Sequence, residues 1–152
     1  MKHIFLLLCC FAALPIARAQ EAPRGAGAVV MHSPDSARVV YVRAVRALVA
    51  AGYGVVTNDA TALFARTPPK PLDGAVTLTL SAAAVPALGG GSDLTLTGVF
   101  TWFSAISIMA QAQAQPMPVR ATGGPATPVR RSWNELVRVA GLLAPGAPLV
   151  FH

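Results

Sequence analysis

"VTLTLS" (residues 76–81) and "LTLTGVFTW" (residues 94–102) are the two stretches that decide the fold. In the first, Val76, Leu78 and Leu80 alternate with Thr77, Thr79 and Ser81. In the second, Leu94, Leu96, Gly98, Phe100 and Trp102 alternate with Thr95, Thr97, Val99 and Thr101. A strand turns successive side chains to opposite faces, so a strict period of two makes one apolar face and one wet face. That is the pattern of an antiparallel sheet packed on one side only. Threonine lines the wet side, where its β-branched side chain suits a strand. An Ala-rich stretch and Gly89-Gly90-Gly91 link the two strands.

Two helical segments flank this pair. Ser33-Pro34-Asp35-Ser36 reads as a helix start: Ser33 caps, Pro34 takes the first helical position, and Asp35 sits near the positive end of the dipole. The helix is expected to reach about Ala51 and to end at Gly52. Ala37, Tyr41, Ala44, Val45 and Leu48 share one face, and Arg38, Arg43 and Arg46 fall opposite. Downstream, Ser132-Trp133-Asn134-Glu135 reads as a capping box. Trp133, Leu136, Val137, Ala140 and Ala144 continue as a second apolar stripe, stopped by Pro145-Gly146.

The segments between are shorter. Tyr53–Thr57 and Ala62–Thr67 read as a hairpin around Asn58-Asp59. Pro68–Pro71 is a stiff connector, and Asp73-Gly74 is a turn. Val29–Met31 reads as a short strand, and Met117–Thr122 as an edge strand interrupted by Pro118. Phe103 to Gln115 fits either a strand extension or a short helix, and also an exposed loop. The expected class is α+β: a two-layer sandwich of two helices on one face of a four- to five-stranded antiparallel sheet, in helix–strands–helix order.

The N-terminus predicts an address. Lys2 and His3 precede an apolar run from Ile4 to Ile16, followed by Ala17-Arg18-Ala19. A short positive start, an apolar stretch and a small-x-small site form a secretory signal peptide. The run falls short of the roughly 20 apolar residues that span a bilayer. Cys9 and Cys10 are the two cysteines of the chain, and both leave with the signal if cleavage follows Ala19. A lipid-anchor signal instead wants small residues before its cysteine, and here Leu7 and Leu8 precede Cys9. The expected divisions are a signal at 1–19, a flexible lead at 20–28 and a single α+β domain at 29–152. The expected location is periplasmic or extracellular, with no transmembrane helix after cleavage.

Hydrophobic residues make up 54% of the chain and charged residues 12%, which favours a packed core over disorder. Removing Lys2 and Arg18 lowers the formal charge from +6 to +4, because all six acids lie beyond residue 19. The arginines are scattered. Nucleic-acid binding by stacking wants exposed aromatics among basic residues, yet Phe100 and Trp102 fall on the core side, so no nucleic acid is expected.

Each catalytic chemistry lacks its residues. "MHSPDS" brings His32, Ser33 and Asp35 close in sequence, but a serine at a helix start is ordinarily a cap, and no G-x-S-x-G elbow is present. Beyond the signal, histidine occurs at positions 32 and 152 alone, and Asp35, Asp59, Asp73, Asp93 and Glu135 each fit a cap or a turn. No catalytic, cofactor or metal residue is therefore assigned. Gly25-Ala26-Gly27 lacks the third glycine of a dinucleotide fingerprint. The least ordinary feature is the apolar group Phe103, Ile106, Ile108 and Met109, expected as a partner contact if exposed.

"RAVRALVAAGYGVVTNDATALFART" resembles a pattern in exported bacterial helix-grip domains, in which a helix ends at Gly-Tyr, an up-and-down sheet follows and a Trp-led helix closes the fold. Domains of the C lipoprotein of the outer-membrane β-barrel assembly machinery are similar in outline. The resemblance spans about Ser33 to Ala144 and implies the fold more than a role. The expected function is a non-enzymatic binding or assembly domain of the bacterial envelope, with an unidentified envelope protein or surface as partner and the oligomeric state open. The alternative is a small secreted hydrolase or ligand-binding enzyme with a site between helix and sheet.

Overall fold

The computed structural model describes residues 22–103 and 114–152. In chain order the elements are β1 (Ala28–Ser33), α1 (Ala37–Ala50), β2 (Thr57–Asp59), β3 (Phe64–Arg66), β4 (Lys70–Asp73), β5 (Val76–Pro86), β6 (Ser92–Trp102), β7 (Pro116–Pro118), α2 (Pro128–Leu143) and β8 (Leu149–Phe151). The class is α+β. All eight strands belong to one antiparallel sheet, ordered β2-β3-β5-β6-β1-β8, with β4 also on β5 and β7 also on β6.

The sheet is larger than the four to five strands expected, and the described elements start and end on a strand. Small residues hid part of it. Ala82 and Ala84 are buried and keep the alternation of β5 going, so the Ala-rich stretch is strand and not link. Prolines masked β4, which pairs with β5 through Lys70 and Pro71, and β8 is only three residues long. Ala26, expected in the flexible lead, is buried, and the backbone amides of Gly25 and Gly27 donate to Ala121 and His152.

The long β5–β6 hairpin is the axis of the sheet, in register from Val76 opposite Trp102 to Pro86 opposite Ser92. Directly paired residues share a face. Leu78 with Phe100, Ala82 with Leu96 and Ala84 with Leu94 are buried, and β1 adds Val29 and Met31 to the same side. Trp102 is the exception: it lies at the strand end and is 44% exposed. Helix α1 contacts β5 and β6, α2 contacts β6, β1 and β5, and the helices touch each other. Val40, Tyr41, Ala44 and Leu48 of α1 and Trp133, Leu136, Val139, Ala140 and Leu143 of α2 complete the core.

Both helix starts differ from expectation. Ser33 closes β1, its Oγ accepts from the Asp35 amide at 3.2 Å, and α1 begins only at Ala37, with Ser36 in the cap position. For α2 the cap is Thr127, whose Oγ accepts from the Arg130 amide at 3.3 Å, with Pro128 next. Ser132 lies inside the helix, buried, donating its hydroxyl to the Pro128 carbonyl at 2.9 Å. Thr-Pro competes with the capping box on equal terms, since each supplies an acceptor just ahead of a helical run. The end of α1 follows expectation. Gly52 sits at φ +78°, its amide bonds to Val49 O at 3.0 Å, and the Tyr53 amide bonds to Leu48 O at 2.9 Å. This pair of bonds is a Schellman motif, and it turns the chain so that Tyr53 enters the core.

Candidate functional site

Among the described residues no helix lies on the other face of the sheet. On β5 and β6 the cross-strand rows run Thr77–Thr101, Thr79–Val99, Ser81–Thr97, Ala83–Thr95 and Val85–Asp93. Nine of these ten side chains are partly buried by their neighbours and Val85 is exposed. Strand β1 widens the face with Ala28, Val30 and His32, β3 with Phe64 and Arg66, and β8 with Val150. Along β5, β6 and β1 this face carries one carboxylate, Asp93, and it is joined to His32 by a 2.9 Å bond from Nδ1 to Oδ1. Arg66 of β3 adds an exposed cation to this face beside Ser81, and Asp59 of β2, opposite Phe64, adds a carboxylate at its edge. The arginines of the helices lie on the other side. Arg38, Arg43 and Arg46 of α1 and Arg131 and Arg138 of α2 are exposed on the helices. The helix side is thus basic, while the middle of the sheet side is short-chained and hydroxyl-rich, with Phe64, Arg66, Asp59 and Asp93 toward its edges.

The segment His32-Ser33-Asp35 does not assemble a nucleophile with a base. Alternation along β1 turns His32 to the uncovered face and Ser33 away from it. Ser33 Oγ lies 3.4 Å from Asp35 Oδ2, and Arg43 holds the same carboxylate oxygen at 2.8 Å. Among the described residues no hydroxyl hydrogen-bonds to His32 Nε2. Beside this segment a recess of about 290 Å³ reaches down to buried Met31, Val40, Leu94 and Leu143, with Asp35 and Arg43 among its walls. The Asp35 carboxylate and the Arg43 guanidinium pair with each other, and the floor between them is apolar. Among the described residues no three His, Cys, Asp or Glu side chains gather as metal ligands.

A second polar group ties the helices together. Tyr53 is 1% exposed and its hydroxyl donates to Glu135 Oε1 at 2.8 Å. Arg138 grips the same carboxylate through Nε at 2.6 Å and a terminal nitrogen at 2.7 Å, the fork geometry that arginine matches best. Lys70 lies 4.1 Å from the centre of the Tyr53 ring and donates to the Ala51 carbonyl at 3.1 Å, where α1 ends. The Arg138 bonds hold the Glu135 carboxyl below its usual range, against the opposing effect of burial. Burial, then the bond to Glu135, pushes the Tyr53 hydroxyl up. Every buried side-chain polar atom here has a partner, and the group ties β4, the end of α1 and α2 together.

Of the expected contact residues, Phe103 is described. It is 43% exposed at the end of β6, with its amide on the Ala75 carbonyl at 2.8 Å. Ile106, Ile108 and Met109 lie outside the described residues. The partnership of His32 with Asp93 was not readable before the β1–β6 register was known. Glu135 and Arg138 were, since residues three apart on a helix are neighbours.

No known protein family and no curated protein matches this chain. The functional reading therefore rests on the geometry above. Among the described residues no helix is long and apolar enough to cross a membrane.

Proposed function

We propose that this chain is an exported binding or assembly domain of the bacterial envelope, a two-layer helix-on-sheet unit of the helix-grip kind, which works through its uncovered sheet face and not by catalysis. One observation carries this reading: the exposed arginines of α1 and α2 sit on the helix side, while the ten side chains of the β5–β6 rows at the middle of the sheet face include a single charged one, Asp93. A solvated surface on a small domain carries roughly a quarter to a third charged residues. Depletion of charge is instead the compositional mark of an interface core. Export is supported by the apolar run Ile4–Ile16 and the Ala17-Arg18-Ala19 site.

The test is site-specific photo-crosslinking in a bacterial host that expresses the full chain. A crosslinking side chain at Thr79 or Thr97 is expected to give discrete adducts in the envelope fraction. The same group at Arg46, on the helix side, is expected to give none. Adducts from Arg46 alone, or none from any position, would sink the reading. The mass of the processed chain checks the address, with Gln20 expected as its first residue.

A further inference from the structure

We infer that the occupant of the uncovered face is a second copy of this chain, the two sheets packing face to face as a β-sandwich dimer with the helices outside. The inference rests on the binding reading above and deepens it. Three features argue for self-association. The first is area. Strands β5 and β6 have eleven residues each and sit within about four strands' width of sheet. At about 3.3 Å per residue and 4.8 Å per strand this is roughly 700 Å² per copy. A stable interface needs about 800 Å² per partner, with a lower limit near 600. The second is shape: Thr, Ser, Val and Ala are short and of similar length, and aligned sheets pack about 10 Å apart through such faces.

The third feature is chemical self-complementarity. In a two-fold interface the same patch meets itself. An ammonium or a carboxylate cannot pair with its own copy. A hydroxyl can, because it both donates and accepts. The centre of the face, Thr79, Ser81 and Thr97 with Val99, consists of groups that tolerate their own image. The Asp93 carboxylate lies at one end and already has His32 for a partner. The exposed Arg66 flanks the centre on β3, opposite Ser81, where its long stem can carry the charge out to solvent. A glycan is a poorer fit, since among the described residues the β5, β6 and β1 rows offer no aromatic ring for a sugar to stack on, and Phe64 of β3 stands to one side.

The experiment is sedimentation equilibrium on the chain expressed from its full sequence and purified as the host processes it. Twice the chain mass is expected. Thr97→Lys places a charge at the centre of the face, which is solvated in the single copy and buried in the dimer. It should weaken association roughly a hundredfold or more, with an unchanged far-ultraviolet spectrum. Arg46→Glu, on the helix side, should leave the mass doubled. A single-copy mass for the unaltered chain at all concentrations overturns the inference, as does a dimer that survives Thr97→Lys but not Arg46→Glu. If Thr97→Lys fails to fold, the crosslinker at Thr79 decides by a self-adduct of doubled mass. A Thr79 adduct only to a different protein overturns the second-copy inference and leaves the binding role standing. No adduct overturns both.

Discussion

Gly98 is the position where the packing of α2 on the sheet can be measured most directly. It lies on the buried face of β6 between Leu96 and Phe100, the one core position of that strand without a large side chain or a hydroxyl. A Cβ placed there would stand 2.9 Å from Val119 Cγ2, 3.0 Å from Leu136 Cδ1 and 3.3 Å from Leu78 Cδ1. Carbon atoms in contact prefer about 3.5–4.0 Å. Two of the three approaches therefore fall short by about half an ångström or more, and all three neighbours are fully buried. Leu136 can swing, but Val119 is stiff at its first torsion. Overpacking of this kind costs about 1–3 kcal/mol. Gly98 has no positive φ, so a side chain also removes unfolded-state freedom, which returns about 0.4–1 kcal/mol. Gly98→Ala should lose about 1 kcal/mol, and Gly98→Val, with two further methyls, about 3. Urea unfolding should show the midpoint falling in that order with the slope unchanged. A Gly98→Val chain as stable as the unaltered one would refute the claim that glycine is there to let Leu136 and Val119 reach the sheet.

Other substitutions probe other joints. Gly91, at φ +74°, would drive a Cβ into the Ser33 carbonyl oxygen, a backbone atom with no room to yield, so Gly91→Ala should cost more than about 2 kcal/mol in the same assay. Thr127→Ala should cost about 1 kcal/mol as a lost cap, and Asn134→Ala, at an exposed position of α2, should be near neutral in the same urea titrations. The Glu135 carboxyl is held low, so its stabilising effect is complete above about pH 4.3 and is lost as pH falls through its folded value. Glu135→Gln should flatten the acid limb of the stability profile, and an unchanged limb would discount the Arg138 grip. The Tyr53 hydroxyl is pushed up, so the opposite limb applies: its contribution is complete below about pH 10 and declines above it. Tyr53→Phe should lower stability at neutral pH by about 1–2 kcal/mol and make the alkaline limb shallower.

What could be read from the chain follows its periodicities. The alternation at Val76–Ser81 and Leu94–Trp102 is strict, and it marks the buried and wet sides of β5 and β6 correctly up to the strand end at Trp102. Helix α1 shows its stripe and its Gly52 stop, because a positive φ after a helical run has few occupants. Elements of three or four residues left a fainter trace: β3 falls inside the strand expected at Ala62–Thr67 and β7 overlaps the one expected from Met117, but β2 takes up Asn58 and Asp59, expected as a turn, and β4 and β8 were missed. β4 carries Pro71 and β8 has only Leu149–Phe151, and neither is long enough to establish a period. Helix starts were blurred for another reason: Ser33, Ser36, Thr127 and Ser132 all offer a hydroxyl near a helix, and tertiary packing selects among them. The candidate face was half legible. Its threonines were visible as a wet row, but the width that makes it a surface comes from β1, β3 and β8, and only pairing reveals it.

The Schellman turn at Gly52 has a consequence for how the molecule opens. Helix ends ordinarily fray on their own, at little cost in free energy. Here the residue that seals the last turn of α1, Tyr53, is the same one whose hydroxyl holds Glu135 on α2, and Lys70 of β4 bonds to the Ala51 carbonyl at the same spot. Unwinding the last turn of α1 therefore breaks contacts in two other elements at once. The amides of Ala51 and Tyr53 should exchange with solvent as slowly as those of the central strands, so that a helix terminus belongs to the most cooperative unit of the protein.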